Sequence, residues 1–126
     1  MANAITTNKA REKMVKARSG DITLSKITHM TFGDGGVDSS GKPIAPSGED
    51  IKLKNEILKK SIDGHSYPNS TTCRYSCTLT KEDLADKNIN EIGLVDSDGD
   101  LVAIKTFGNK YKDADMEMIF QIDDEF

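Results

Sequence analysis

The sequence predicts an α+β fold, with an N-terminal amphipathic helix packed on an antiparallel β-sheet or sandwich and one long Gly/Pro loop. Three observations carry this expectation. An apolar stripe at helical spacing lies within the first twenty residues, period-two alternation recurs through the segments that follow, and an Asp-Gly pair near residue 98 separates two apolar runs.

The helix is expected over 6–19. Thr6 and Thr7 supply capping hydroxyls, and Ala10, Met14 and Ala17 form a narrow stripe among Lys and Arg. Gly20 stops the pattern, because the left-handed backbone after a helix suits glycine. A strand is expected over 22–33, with Ile22, Leu24, Thr28, Met30 and Phe32 on one face and Lys26 as the misfit. The polar stretch from Gly33 to Asp50 holds five of the ten glycines and two of the three prolines, so it reads as a functional or mobile loop. Leu53, Ile57 and Leu58 suggest a short helix running into a strand over 57–66.

From Thr71 to Thr80 the alternation of Thr71, Cys73, Tyr75, Cys77 and Leu79 with polar residues predicts a half-buried strand over 70–80. Thr80 to Leu84 reads as a turn or single helical turn, with Asp83 placed to reach back to the Thr80 amide. Strands over 89–96 and 100–108 flank Asp98-Gly99 and should pair as a hairpin. Ala114, Met116, Met118, Phe120 and Ile122 alternate in a last strand over 114–123.

The 126 residues suit one domain over 1–126, large enough to hold a core without a metal or disulfide. Apolar residues make up 36% and Trp is absent, so an aromatic-lined cleft is not expected. A net charge of −4 argues against nucleic acid and anionic membranes as partners. The one basic stretch, Lys9, Arg11, Lys13, Lys16 and Arg18, reads as the solvated face of the helix. Neither a charged leader with an apolar core nor a run of ~20 apolar residues is present, which suggests a chain made and kept in the cytosol. Cys73 and Cys77 fall on one face of a strand about 13 Å apart, too far to bond, and read as small buried hydrophobes.

Chemistry finds little support. Asp96-Ser97-Asp98-Gly99-Asp100 invites a calcium reading, but Gly99 stands at position four rather than six and no Glu stands at position twelve, so a hairpin turn is preferred. Asp34 and Asp38 in their Gly-rich loop resemble oxygen ligands more weakly than they resemble a turn. His29 and His65 lack metal-ligand spacing, and the nucleophile, phosphate-loop and dinucleotide motifs are missing. No catalytic residue, cofactor or metal is therefore assigned. Asp123, Asp124 and Glu125 read as a solvated terminus.

The run Asn90-Glu91-Ile92-Gly93-Leu94-Val95-Asp96-Ser97-Asp98-Gly99-Asp100-Leu101-Val102-Ala103 resembles the Glu-Ile-Gly-Leu hairpin of the phage tail-collar fibre family. Phe32-Gly33-Asp34-Gly35-Gly36, Leu53-Lys54-Asn55-Glu56 and Tyr111-Lys112 match in the expected order, as does a helix opening at Ile5-Thr6. The resemblance implies the N-terminal domain of a tail fibre or collar protein, a structural and non-enzymatic part that anchors a fibre to the baseplate of a phage tail or related contractile particle. Members usually continue into a long shaft, and this chain stops at Phe126, which points to an adaptor or an excised anchoring domain. Implied partners are other tail or baseplate proteins and further copies of the chain, a trimer by family analogy. The place implied is the virion tail, after assembly in the host bacterial cytoplasm.

Candidate interface residues are Ala10, Met14, Ala17, Gly35, Gly36, Glu91, Gly93, Asp98 and Gly99, with Glu91 expected to pair with a base such as Arg74 and Gly93 to admit a close neighbour. Docking should use the helix from Thr7 to Arg18 and the Gly-rich loop, so that deleting Asp38 to Pro46 spares the fold and abolishes assembly. Two other classes stay open. One is a small ligand- or peptide-binding β-sandwich, favoured if the loop closes over an apolar pocket. The other is a hydrolase using Cys73 or Cys77 with a histidine.

Overall fold

The computed structural model describes residues 4–126. The expected helix start gives way to a short strand, β1 (Ala4–Thr6), whose backbone pairs with the hairpin. Thr7 then caps α1 (Asn8–Arg18): its hydroxyl oxygen accepts from the Ala10 amide at 3.2 Å while the hydroxyl donates to the Leu101 carbonyl at 2.7 Å. One threonine thus starts the helix and fastens it to the sheet. The helix ends as the sequence implies. Gly20 has φ +89°, its amide bonds to the Ala17 carbonyl, and the Asp21 amide bonds to Lys16.

The remaining elements are β2 (Ile27–Gly33), β3 (Glu56–Ser61), β4 (Gly64–Asn69), β5 (Thr72–Leu79), β6 (Lys87–Asp96), β7 (Leu101–Lys112) and β8 (Met118–Glu125). They form a five-stranded sheet in the order β1-β7-β6-β2-β3 and a three-stranded sheet in the order β4-β5-β8, with antiparallel neighbours throughout. The two sheets share one core. Met30, Phe32, Ile92 and Leu94 from the larger sheet meet Cys77, Leu79, Phe120 and Ile122 from the smaller. Phe32 and Phe120 touch edge to face with centroids 5.4 Å apart. Each such side chain withdrawn from water contributes roughly 1.5–3 kcal/mol, which is what holds a two-layer β fold together. The α+β class holds in broad outline, but the molecule is mainly antiparallel sheet with one short helix set between β1 and β2.

Four expectations fail for identifiable reasons. The strand over 22–33 begins only at Ile27, because its partner β6 ends at Asp96 and the residues before Ile27 have no ladder to join. Ile22 and Leu24 are left 39% and 51% exposed. The short helix near Leu53 is absent: the amides of Lys54 and Asn55 are drawn to the Glu91 side chain, and a helix would spend them otherwise. The strand over 57–66 is two strands in different sheets, since Ile62 bonds back to Thr28 of one sheet and Asp63 to Ser76 of the other. The last strand starts at Met118, because Asp113 closes a turn by accepting the amides of Asp115 and Met116.

Thr80 to Leu84 is a turn, and Asp83 accepts the Thr80 amide at 2.9 Å as its spacing suggested. Asp83 also meets Lys60 Nζ at 2.5 Å, and Lys60 donates to the Thr78 carbonyl, tying β3 to β5 across the sandwich. The Lys60 ammonium, with the Thr80 amide, holds the Asp83 carboxyl below its ordinary value of 3.8. A folded pKa below the unfolded one adds stability above the unfolded value, and that stability is lost as pH falls through the folded value. Asp83→Asn is therefore expected to unfold at a lower urea concentration than the wild type near pH 7, with the two midpoints converging below about pH 3.8.

Candidate functional site

Three of the segments that carry the family resemblance, those over 32–36, 53–56 and 90–103, come together at the end of β2 and the start of β6. Glu91, 2% exposed, turns inward, and its carboxylate accepts three backbone amides: Gly35 at 2.9 Å, Asn55 at 2.9 Å and Lys54 at 3.0 Å. Beside it the Asn90 amide accepts from Gly36 N at 2.7 Å and donates to the Asp34 carbonyl and to Asn109. Three stretches far apart in sequence are thereby clasped by two adjacent side chains. Glycine is required where they touch. A Cβ on Gly33 would lie 2.5 Å from both the Asn55 carbonyl oxygen and Glu91 Oε2, and one on Gly36 would lie 2.5 Å from the Asn90 carbonyl oxygen. Glu91 does not pair with Arg74, whose guanidinium instead grips Asp123 at 2.8 and 3.1 Å. A buried carboxylate saturated by amides needs no base.

The Gly/Pro loop is anchored rather than free. Its tip folds on Asp38, whose carboxylate accepts the amides of Ser40 and Lys42, and an isolated bridge joins Val37 to Pro43. Beyond the tip, Ile44 N bonds to the Gly36 carbonyl, Thr106 Oγ1 donates to the Ile44 carbonyl, and the Asn8 amide bonds to the Gly48 carbonyl. Deleting Asp38 to Pro46 would remove several of these ties and leave the bond between Asn8 and Gly48.

At the hairpin tip Gly99 has φ +84°, and Asp96 caps the turn by accepting the amides of Asp98 and Asp100. Asp96, Asp98 and Asp100 present carboxylate oxygens within 4.8 Å of one another, and Lys13 of α1 places its ammonium among them at 2.7, 3.0 and 2.5 Å. Lys13 is thus not part of a solvated face. Burial works against its charge, but bonds to Asp100, Asp96 and Asp98 outweigh that and hold its pKa above the ordinary lysine value. The helix is pinned to the hairpin at its N-terminal cap by Thr7 and at its middle by Lys13.

The candidate interface residues divide by exposure. Ala10, Gly36, Glu91 and Gly93 are buried within the chain, Met14, Ala17 and Gly35 are half-buried, and Asp98 and Gly99 are exposed at the hairpin tip. Gly93 admits a close neighbour as expected, here the chain itself: a Cβ there would meet Leu101 Cδ1 at 2.6 Å and the Ala103 carbonyl oxygen at 2.9 Å.

A groove of about 410 Å³ lies between α1 and the three-stranded sheet, lined by Met14, Leu24, Tyr67, Cys73, Tyr75 and Phe126 among others. The low aromatic content argued against such a feature. Of the four Phe and three Tyr in the chain, Phe126, Tyr67 and Tyr75 nevertheless converge here. Tyr67 and Phe126 had no periodic partner in the sequence to reveal this.

Cys77 lies in the core, its thiol donating to the Ser61 carbonyl at 3.4 Å. Burial, then the nearby Asp63 carboxylate, push it up to about 11, the opposite of what a nucleophilic thiol requires. Iodoacetamide is expected to label half-buried Cys73 slowly in the native protein and Cys77 only after unfolding, as read by mass of the modified peptides.

A family model described as phage tail-collar fibre protein, N-terminal, matches residues 1–121. No curated protein and no solved structure matches the chain.

Proposed function

The chain belongs to the phage tail-collar fibre protein family, in its N-terminal part, and from that premise we propose that it works as one domain that attaches a tail fibre, or serves as an adaptor, at the baseplate of a phage tail or phage-tail-like contractile particle. The family is a structural one and places the chain in the virion tail, in association with other tail proteins. The single observation that carries the finer reading is where the family-like residues are spent. Gly33, Gly35, Gly36, Lys54, Asn55, Asn90 and Glu91 meet inside the chain through backbone amides and close approaches, which suits a rigid mount.

Docking then falls to what remains outside. We assign it to Met14 and Ala17 on α1, to Asp98 and Gly99 at the hairpin tip, and to the loop tip around Asp38 to Lys42, with Ala10, Gly35, Gly36, Glu91 and Gly93 supporting these surfaces from within. The copy number in the assembly is three by analogy with fibre proteins, and assembly takes place in the host bacterial cytoplasm. Antibody raised against the domain tests this on purified particles. Gold label at the fibre-bearing end of the tail is the expected result; particles devoid of the protein would remove the proposal. A second reading, a small ligand- or peptide-binding β-sandwich, is favoured by the aromatic groove beside α1.

A further inference from the structure

The groove beside α1 has an acid where its surroundings are apolar. In the three-stranded sheet Asp124 stands opposite Cys73 and His65 opposite Tyr75, and all four residues line the groove. The His65 ring braces the aromatic wall, with its centroid 5.5 Å from that of Tyr67 and 5.9 Å from that of Tyr75. Tyr67 and Phe126 are 71% and 68% exposed, and with Leu24 they form an apolar rim that the chain itself leaves uncovered.

Among the described residues Asp124 takes part in no ion pair and no side-chain hydrogen bond, whereas its neighbour Asp123 is paired with Arg74. Burial alone pushes the Asp124 carboxyl up, with no cation to offset it. Lys13 borders the groove but spends its ammonium on the hairpin acids, and among the described residues Lys26 at the rim forms no ion pair. A half-buried carboxylate without a partner is stabilised by a cation brought beside it. Aromatic rings around it attract cations through their faces and accept the aliphatic stem of a long basic side chain.

We propose that the groove receives a lysine or arginine side chain from an apolar segment of another tail protein, its charge on Asp124 and its stem against Tyr67, Tyr75 and Phe126. Charge complementarity selects a basic occupant over an acidic or purely apolar one. The inference takes the source of that side chain from the tail-attachment reading. The site itself is tested without any partner.

The probe is n-butylguanidinium chloride, titrated into the ¹⁵N-labelled protein, with n-butanol as the neutral comparison. Saturable shifts confined to amides around Tyr67, Cys73, Tyr75 and Phe126 are expected with the cation, and binding at least about tenfold weaker with butanol or in Asp124→Asn. Should Asp124→Asn disturb the sheet, Tyr67→Ala at an exposed rim position is expected to weaken the cation several-fold while the rest of the spectrum stays unchanged. Equal binding of both probes, or binding indifferent to both substitutions, would overturn the cation site. Association with tail proteins that survives both substitutions would overturn the groove as their docking point and leave attachment standing. Self-association lost in Asp124→Asn would overturn the choice of occupant by making it a second copy of this chain.

Discussion

Glu91→Ala is expected to cost about 4 kcal/mol of folding stability, the largest effect of any single truncation in the polar part of the molecule. The carboxylate accepts the amides of Gly35, Lys54 and Asn55, and none of these has a strand partner to replace it. Each buried amide left without an acceptor costs about 1–3 kcal/mol, and water entering the gap recovers part of the sum. Glu91→Gln should be milder, at roughly 1–2 kcal/mol, because its remaining oxygen still accepts Gly35 and Asn55 while only the Lys54 amide faces a donor. Urea unfolding checks the order. Both variants should lower the midpoint with little change in slope, Ala well below Gln. Equal, small shifts would mean that the clasp is replaceable by solvent.

Gly33→Ala comes next, at about 3 kcal/mol. Its Cβ would lie 2.5 Å from a backbone oxygen of Asn55 and 2.5 Å from Glu91 Oε2. The first contact is with main chain, so no rotamer change relieves it, and the β2 end must separate from the Lys54-Asn55 segment. That movement stretches the same amide bonds that Glu91 accepts. The two substitutions should therefore be non-additive, the double variant losing roughly 1–2 kcal/mol less than the sum of the singles. Strict additivity would show that Gly33 and Glu91 act on separate parts of the fold.

What the sequence disclosed and what it concealed follow from range. The Thr7 cap, the Gly20 stop, the Asp98-Gly99 turn and the Thr80-Asp83 bond are decided by residues within a few positions of one another, and each is found where local chemistry puts it. The alternation of β5 was equally legible, because one of its faces lies on the core. Contacts between distant segments were not. Lys13 reads as one base among five on a solvated helix until the fold brings it to three acids more than eighty residues away. Glu91 looks like an exposed carboxylate seeking a base, since its spacing says nothing of the amides that bend toward it. Ile22 and Leu24 fit a strand pattern, yet a strand needs a neighbour, and the neighbour ends at Asp96.

The candidate site was legible in one respect and hidden in another. The family-like motifs were visible as runs, and their order along the chain was the signal. The convergence of three of them into a single clasp was not visible, so residues marked for an interface include several that hold the fold together. The groove was hidden because its aromatic residues lie on different elements, and a low aromatic content does not prevent them from meeting.

The central claim, that this chain is an attachment part of a phage tail, is tested most directly by its mass in solution. Light scattering of the purified protein, alone and mixed in turn with the tail and baseplate proteins encoded beside it, gives the answer. The account predicts a multimer, or a stable complex with at least one of those neighbours. A monomer that keeps its mass in the presence of every one of them would contradict it.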